Sequence, residues 1–369
     1  METEKLEHLI GNQQLRAHRY GTHVTNTILK LLKRSDDRLT LQIYELLEGL
    51  TAKERADLLA NNFKAKRLAK LRESIKEIES EVLKVTSTVL GDEGKKYAAY
   101  EMGRAQELAF AMGVEDLGTK ISTNQVYAAA MARPMNGKHI RDHVKDLATA
   151  HRKEIFGAIN IGFVNGESLI AIMSSIRGTA AAKRADGLLY KRNGKIENLI
   201  VRSSLAHISS VATVESFKQL EVKEYYLSPV FDGRTSHICR SLNAEGITYY
   251  KVGKGILPPL HPGGCRTTVL ARTESAEAIR KPFVRDDRPV SKIPESERGD
   301  KIGTTNAPSF DAWLRRQPKS TQREWLGETR YKLFNNGVKL NKFADPKKGA
   351  YNLAEIERMN SEAFAKIAD

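Results

Sequence analysis

The residue pattern predicts a predominantly α-helical α+β protein, with long N-terminal helices, a small mixed β-containing module after residue 220 and an extended C-terminal tail with short helices. Three observations carry that expectation. Leu68, Leu71, Ile75, Ile78, Val82, Val85 and Val89 recur at alternating steps of three and four, the apolar seam of a long helix. Alanine-rich helical spacing then fills residues 95–220. From Glu221 the texture changes to β-branched and aromatic runs separated by glycine and proline.

The elements follow in order. Thr51-x-x-Glu54 is a capping box, in which the threonine oxygen and the glutamate carboxylate satisfy free backbone N–H groups at a helix start. The seam helix comes next, and Gly91-Asp92-Glu93-Gly94 reads as its end. The seam suits a long hairpin or bundle, and equally an arm for self-association. Helices are expected over roughly 95–113, 122–132, 137–163 and 166–175, then a looser basic connection from Arg177 to Gly194, then helical spacing from Glu197 to Leu220. Residues 222–231, 247–252 and 267–271 are strand candidates. The expected segments are therefore a helical arm (1–94), a helical domain (95–220), an α+β module (221–279), a proline-rich charged linker (280–308) and a tail of short helices (309–369).

Sixty Lys and Arg against 45 Asp and Glu leave a formal charge of +15. A polycation gains affinity for polyphosphates by releasing counterions, without reading base sequence. The excess is clustered, which points to Lys64, Lys66, Arg67, Lys70, Lys183, Arg184, Lys191 and Arg192 as phosphate contacts. No run approaches the ~18 apolar residues of a membrane span. The charged start Met1-Glu2-Thr3-Glu4-Lys5 lacks a signal-peptide core, so synthesis and retention in a cytoplasm are expected. His139 and His143 stand four apart and are read as a polar stripe, without the glutamate of a zinc protease. No catalytic triad, carboxylate pair or phosphate loop emerges, and no enzyme is expected.

Both cysteines of the chain, Cys239 and Cys265, fall between Asp232 and Arg266. Asp232-Gly233 supplies a turn, and Ser236 is placed to cap a short helix through Leu242. Pro258, Pro259 and Pro262 stiffen a return loop that carries His261 and Cys265. Thiolate and imidazole are zinc ligands, so Cys239, His261 and Cys265 form a candidate metal set, which His237 or Asp232 could complete. Against it stand the absence of short Cys-x-x-Cys spacing and the opposed directions of His237 and Cys239 on a helix. Two readings stay open: no cofactor, with buried thiols beside a hydrogen-bonded histidine, or a structural zinc.

Asp232, Arg234, Thr235, Cys239, Pro258, Pro259, His261, Pro262, Cys265 and Arg266 together resemble the signature of the phage Mu F-like minor head proteins: Asp-x-Arg-Thr, a cysteine four positions on, and a Pro-Pro-x-His-Pro loop ending in Cys-Arg. Arg202-Ser203-Ser204 stands where the family carries Arg-Thr-Glu, and Trp313-Leu314-Arg315-Arg316-Gln317-Pro318 is similar to a segment that follows the motif. Three residues separate His261 from Cys265 where two are usual, and His237 occupies a position that is often proline. The resemblance implies a minor structural protein of a tailed-phage head. Its expected partners are portal, major capsid or scaffold proteins and packaged double-stranded DNA. It would reside in the virion and, during assembly, in the host cytoplasm. The alternative is a metal-dependent nuclease or toxin-like transferase centred on residues 232–266.

Overall fold

Helix α1 (Glu2–Glu48), helix α2 (Ala52–Leu59) and helix α3 (Lys66–Ala111) open the chain. The computed structural model describes residues 2–115, 122–231, 235–242, 244–273, 283–285, 302–304, 309–345 and 348–368. Over residues 20–94, α1 and α3 lie antiparallel: Tyr20 donates to the Glu93 carboxylate at 2.6 Å, and Arg38 meets Glu77 at 2.5 Å. At the connection, the Thr51–Glu54 capping box forms as expected, and Arg67 bonds both Glu54 and the Gly49 carbonyl. The seam residues Leu68, Leu71, Ile75, Ile78 and Val82 are all at most 1% exposed. Val24, Ile28, Leu32, Leu39, Ile43 and Leu47 line the buried face of α1. The seam is thus used within the chain, which corrects its reading as an arm for self-association.

The helix also continues through Gly91-Asp92-Glu93-Gly94, which was expected to end it. Two helical glycines cost about 2 kcal/mol together. Burying each seam leucine, isoleucine or valine contributes about 1.5–3 kcal/mol, and beyond the glycines Tyr97, Ala98, Ala105, Leu108 and Ala109 are buried as well. Burial on both sides outweighs the local propensity.

The chain goes on through α4 (Thr123–Ala132), α5 (Ile140–Val164), α6 (Leu169–Arg177), α7 (Leu188–Lys195), a π-helical stretch Ile196–Arg202 and α8 (Ser203–Gln219). His139 is the N-cap of α5 rather than a helical neighbour of His143. The π-helix replaces the regular spacing expected there and buries the consecutive Ile200 and Val201. Backbone proximity groups these elements into two units, each built from separated stretches: Tyr20–Gly94 with Gly137–Ser204, and Met1–Arg19 with Lys95–Asn136 and Leu205–Asp369. The expected arm (1–94) and helical domain (95–220) each divide between units, because long-range packing leaves no mark in linear composition.

Within the first of these units, Glu79 accepts from Thr149 at 2.7 Å and pairs with Arg152 at 2.8 Å, tying α3 to α5. Within the other, Glu101 on α3 accepts from Arg104 at 2.8 Å and from Ser209 of α8 at 2.7 Å, all three residues being buried. That second unit also holds the sheet. Strand β1 (Glu224–Phe231) pairs antiparallel with β2 (Tyr249–Lys251) and β3 (Thr267–Ala271), in the register Leu227↔Val269 for the latter. The end of β1 pairs parallel with β4 (Phe283–Arg285), which pairs antiparallel with β5 (Ile302–Thr304). These two short strands lie in the stretch expected as a linker. The end of β1 at Val230 and Phe231 offers Phe283 and Val284 a pairing edge that local composition does not record, and the rest of the expected linker lies outside the described residues.

Between β1 and β2 sits α9 (His237–Leu242). The tail forms α10 (Phe310–Arg315), α11 (Lys319–Leu326), α12 (Glu328–Asn335), the small β6 (Ala344–Asp345) and β7 (Gly349–Ala350) pair, α13 (Leu353–Met359) and α14 (Ser361–Ala368). Phe310, Trp313, Leu314, Trp325, Leu333 and Phe334 close this helical cluster into a core of its own.

Candidate metal centre and basic surface

Ser236, Cys239 and the return loop build the site. The Ser236 hydroxyl accepts the Cys239 N–H at 3.2 Å, the cap expected from sequence, and α9 carries Cys239 into the interior at 2% exposure. Thr235 donates to the Val230 carbonyl, closing the chain between β1 and α9. The return loop is held from beneath by Tyr225, whose hydroxyl donates to the Ile256 carbonyl at 2.8 Å. Gly255 makes that approach workable, since a Cβ there would lie 2.2 Å from the tyrosine oxygen. The buried Pro258 and Pro259, joined by a cis peptide bond, then lead to His261 and Cys265.

The two sulfurs stand 3.8 Å apart as free cysteines. Thr267, first residue of β3, donates its hydroxyl to Cys239 Sγ at 3.3 Å. The Leu260 N–H points at Cys265 Sγ at 3.4 Å. His261 Nδ1 lies 3.2 Å from the Pro262 carbonyl. The hydrogen bond with Cys265, reinforced by burial, pushes the Cys239 thiol well above its usual range. That same bond draws Cys265 well below the usual thiol range against the cost of burial, with His261 and the Leu260 amide assisting. Burial works against a charged His261, but the hydrogen bond and charge of Cys265 and the Pro262 carbonyl outweigh it, raising the imidazole.

The donor atoms of Cys239, His261 and Cys265 all lie within 4.8 Å of one another, a group that could hold a metal ion. A cavity of about 10 Å³ adjoins it, lined in part by Thr235, Ser236, Gly264, Arg266 and Thr267; this is room for roughly one water. His237 does not belong to the group. Burial, Arg240 and Arg330 press its imidazole down to about 4, marking a cationic neighbourhood on another side of α9. Arg266 borders the cavity, and its carbonyl accepts the Val230 N–H. Asp232 and Arg234 lie outside the described residues. Thr267 was missed as a sulfur partner. Its contact with Cys239, 28 positions away, exists only in the folded chain.

The basic residues separate. Lys64, Lys66, Lys70, Lys183 and Lys191 are exposed. Arg67 is occupied by Glu54 and the Gly49 carbonyl, and Arg184 reaches back to the Gly178 carbonyl at 2.6 Å. Arg192 corrects the expectation outright: it is 1% exposed and grips Asp36 with two bonds of 2.8 and 2.7 Å. A planar guanidinium facing a carboxylate makes a structural bolt, and no phosphate reaches it. No helix among the described residues is long and apolar enough to cross a membrane. Comparison with protein-family models, curated proteins and solved structures found no match for this chain.

Proposed function

We propose that this chain is a minor structural protein of a tailed-phage head, placed at the portal or procapsid interior, where it aids head morphogenesis and genome packaging or ejection. The observation that carries the reading is the convergence of the signature residues. Thr235, Cys239, Pro258, Pro259, His261, Cys265 and Arg266 are spread over some thirty positions, and they converge on one interlocked loop–helix–strand junction. Such a junction suits a clasp that fixes a module's shape.

Contact with packaged DNA is the second part of the proposal. Exposed Lys64, Lys66, Lys70, Lys183 and Lys191 would meet phosphates irrespective of sequence. Two experiments test the reading. Mass spectrometry of purified particles from cells carrying the gene should find the polypeptide in heads, and heads that form and infect without it refute the structural role. Duplex DNA affinity across a salt series should fall with a log–log slope of about 0.9 per phosphate contacted. Lys64→Glu, Lys66→Glu and Lys70→Glu together should weaken binding equally on unrelated sequences. A salt-independent affinity, or a loss confined to one sequence, refutes the phosphate role.

A further inference from the structure

We propose that Cys239, His261 and Cys265 bind a single zinc ion, a structural staple between α9 and the return loop. The inference deepens the clasp reading of this junction and is independent of any role in a virus.

The geometry argues for it. Zinc–sulfur bonds of about 2.3 Å meeting at a tetrahedral angle hold two thiolates about 3.8 Å apart. The sulfurs of Cys239 and Cys265 stand at 3.8 Å. A disulfide would need about 2.05 Å. With a zinc–nitrogen bond of about 2.0–2.1 Å, the imidazole nitrogen belongs about 3.6 Å from each sulfur. All three donor atoms lie within 4.8 Å of one another, and the loop around His261, with Gly263 and Gly264 following it, has a short distance to close. A proton on Nδ1, donated to the Pro262 carbonyl, leaves Nε2 with the lone pair a metal requires. The sulfurs already receive the donors that steady zinc thiolates, from Thr267 and the Leu260 amide. The described residues supply three ligands, and the adjoining cavity, with room for roughly one water, leaves space beside them for a fourth. Two sulfurs and one imidazole select zinc over magnesium or calcium, which take oxygen ligands. Zinc takes both sulfurs as thiolates and the imidazole as its neutral form, so any thiol proton and any imidazolium proton these groups still carry pass to solvent on binding, and no electron is transferred.

The test uses the full chain, purified under reducing conditions without added chelator. Elemental analysis should return one zinc per chain, and exchange with cobalt(II) should give thiolate charge-transfer absorption with tetrahedral d–d bands. Cys239→Ser with Cys265→Ser should lower the zinc content at least about tenfold. Far-UV circular dichroism reports whether that variant keeps its helices. Chelation of the unmodified chain, which needs no variant to fold, should lower its melting temperature. Zinc below about a tenth of an equivalent with both thiols reduced, cobalt spectra lacking charge transfer, or zinc undiminished in a folded double variant would each overturn the proposal. None of these results bears on whether the protein belongs to a phage head.

Discussion

Replacing Arg192 by alanine should be among the most damaging single changes in the Tyr20–Gly94 and Gly137–Ser204 unit. The guanidinium is 1% exposed, bonds both oxygens of Asp36 at 2.8 and 2.7 Å, and also holds the Asn193 side-chain oxygen at 2.7 Å. Its removal leaves the Asp36 carboxylate, 8% exposed, without its two strongest donors. Breaking one side of such a buried pair costs about 3–5 kcal/mol. At about 2–4 °C per kcal/mol for a domain of this size, the melting temperature should fall on the order of 10 °C. A thermal melt followed by far-UV circular dichroism measures it. Replacing both partners by apolar residues, Asp36→Leu with Arg192→Met, should recover most of the loss, since no buried charge is then stranded. The same double variant should bind duplex DNA with unaltered affinity, whereas Lys191→Glu weakens it. A loss under about 1 kcal/mol for Arg192→Ala would show that the pair is not the bolt described here.

Three further outcomes follow from individual groups. His151 is 2% exposed, neither ring nitrogen has a hydrogen-bond partner among the described residues, and burial with nearby Arg192 and Lys195 lowers its pKa to about 3, Glu154 standing 3.8 Å away. Because the folded value lies below the unfolded 6.5, the unfolded chain binds the extra proton. His151 therefore costs nothing above pH 6.5, and stability declines as pH falls from there towards 3, by up to about 1.4 kcal/mol per pH unit. Urea midpoints at a series of pH values should show this slope, flattened in His151→Phe, and an unchanged slope in that variant counts against the assignment. Gly178, at φ +86°, would place an added Cβ 2.4 Å from the Arg184 carbonyl oxygen. Gly178→Ala should thus destabilise by more than about 1 kcal/mol in chemical denaturation, and a neutral result would deny the tight closure of that loop. Thr267→Val keeps the volume and removes the hydroxyl from Cys239 Sγ. Zinc affinity, read by competition with a chromogenic chelator, should weaken about tenfold or more, and wild-type affinity would remove Thr267 from the site.

Local chemistry made much of this molecule legible in advance. The Thr51–Glu54 box, the seam from Leu68, the Ser236 cap and the strands at 224–231 and 267–271 all express short-range preferences: which groups satisfy a free N–H, which side chains fall on one face, which residues favour extended backbone. Ligand chemistry and the resemblance of the surrounding motif, rather than any local backbone preference, brought Cys239, His261 and Cys265 together as candidates. Tertiary structure decided the rest, wherever a distant partner outweighed a local signal. Gly91 and Gly94 stay helical because burial continues on both sides of them. Residues 283–285 become a strand because the end of β1 offers them an edge, and 302–304 then pair with 283–285 in turn. Arg192 reads in sequence as one cation in a basic cluster, yet it is committed to Asp36, 156 positions away, and only the folded chain brings the two together. The 3.8 Å between the sulfurs likewise depends on α9 and the return loop meeting in space, a distance that spacing along the chain does not contain.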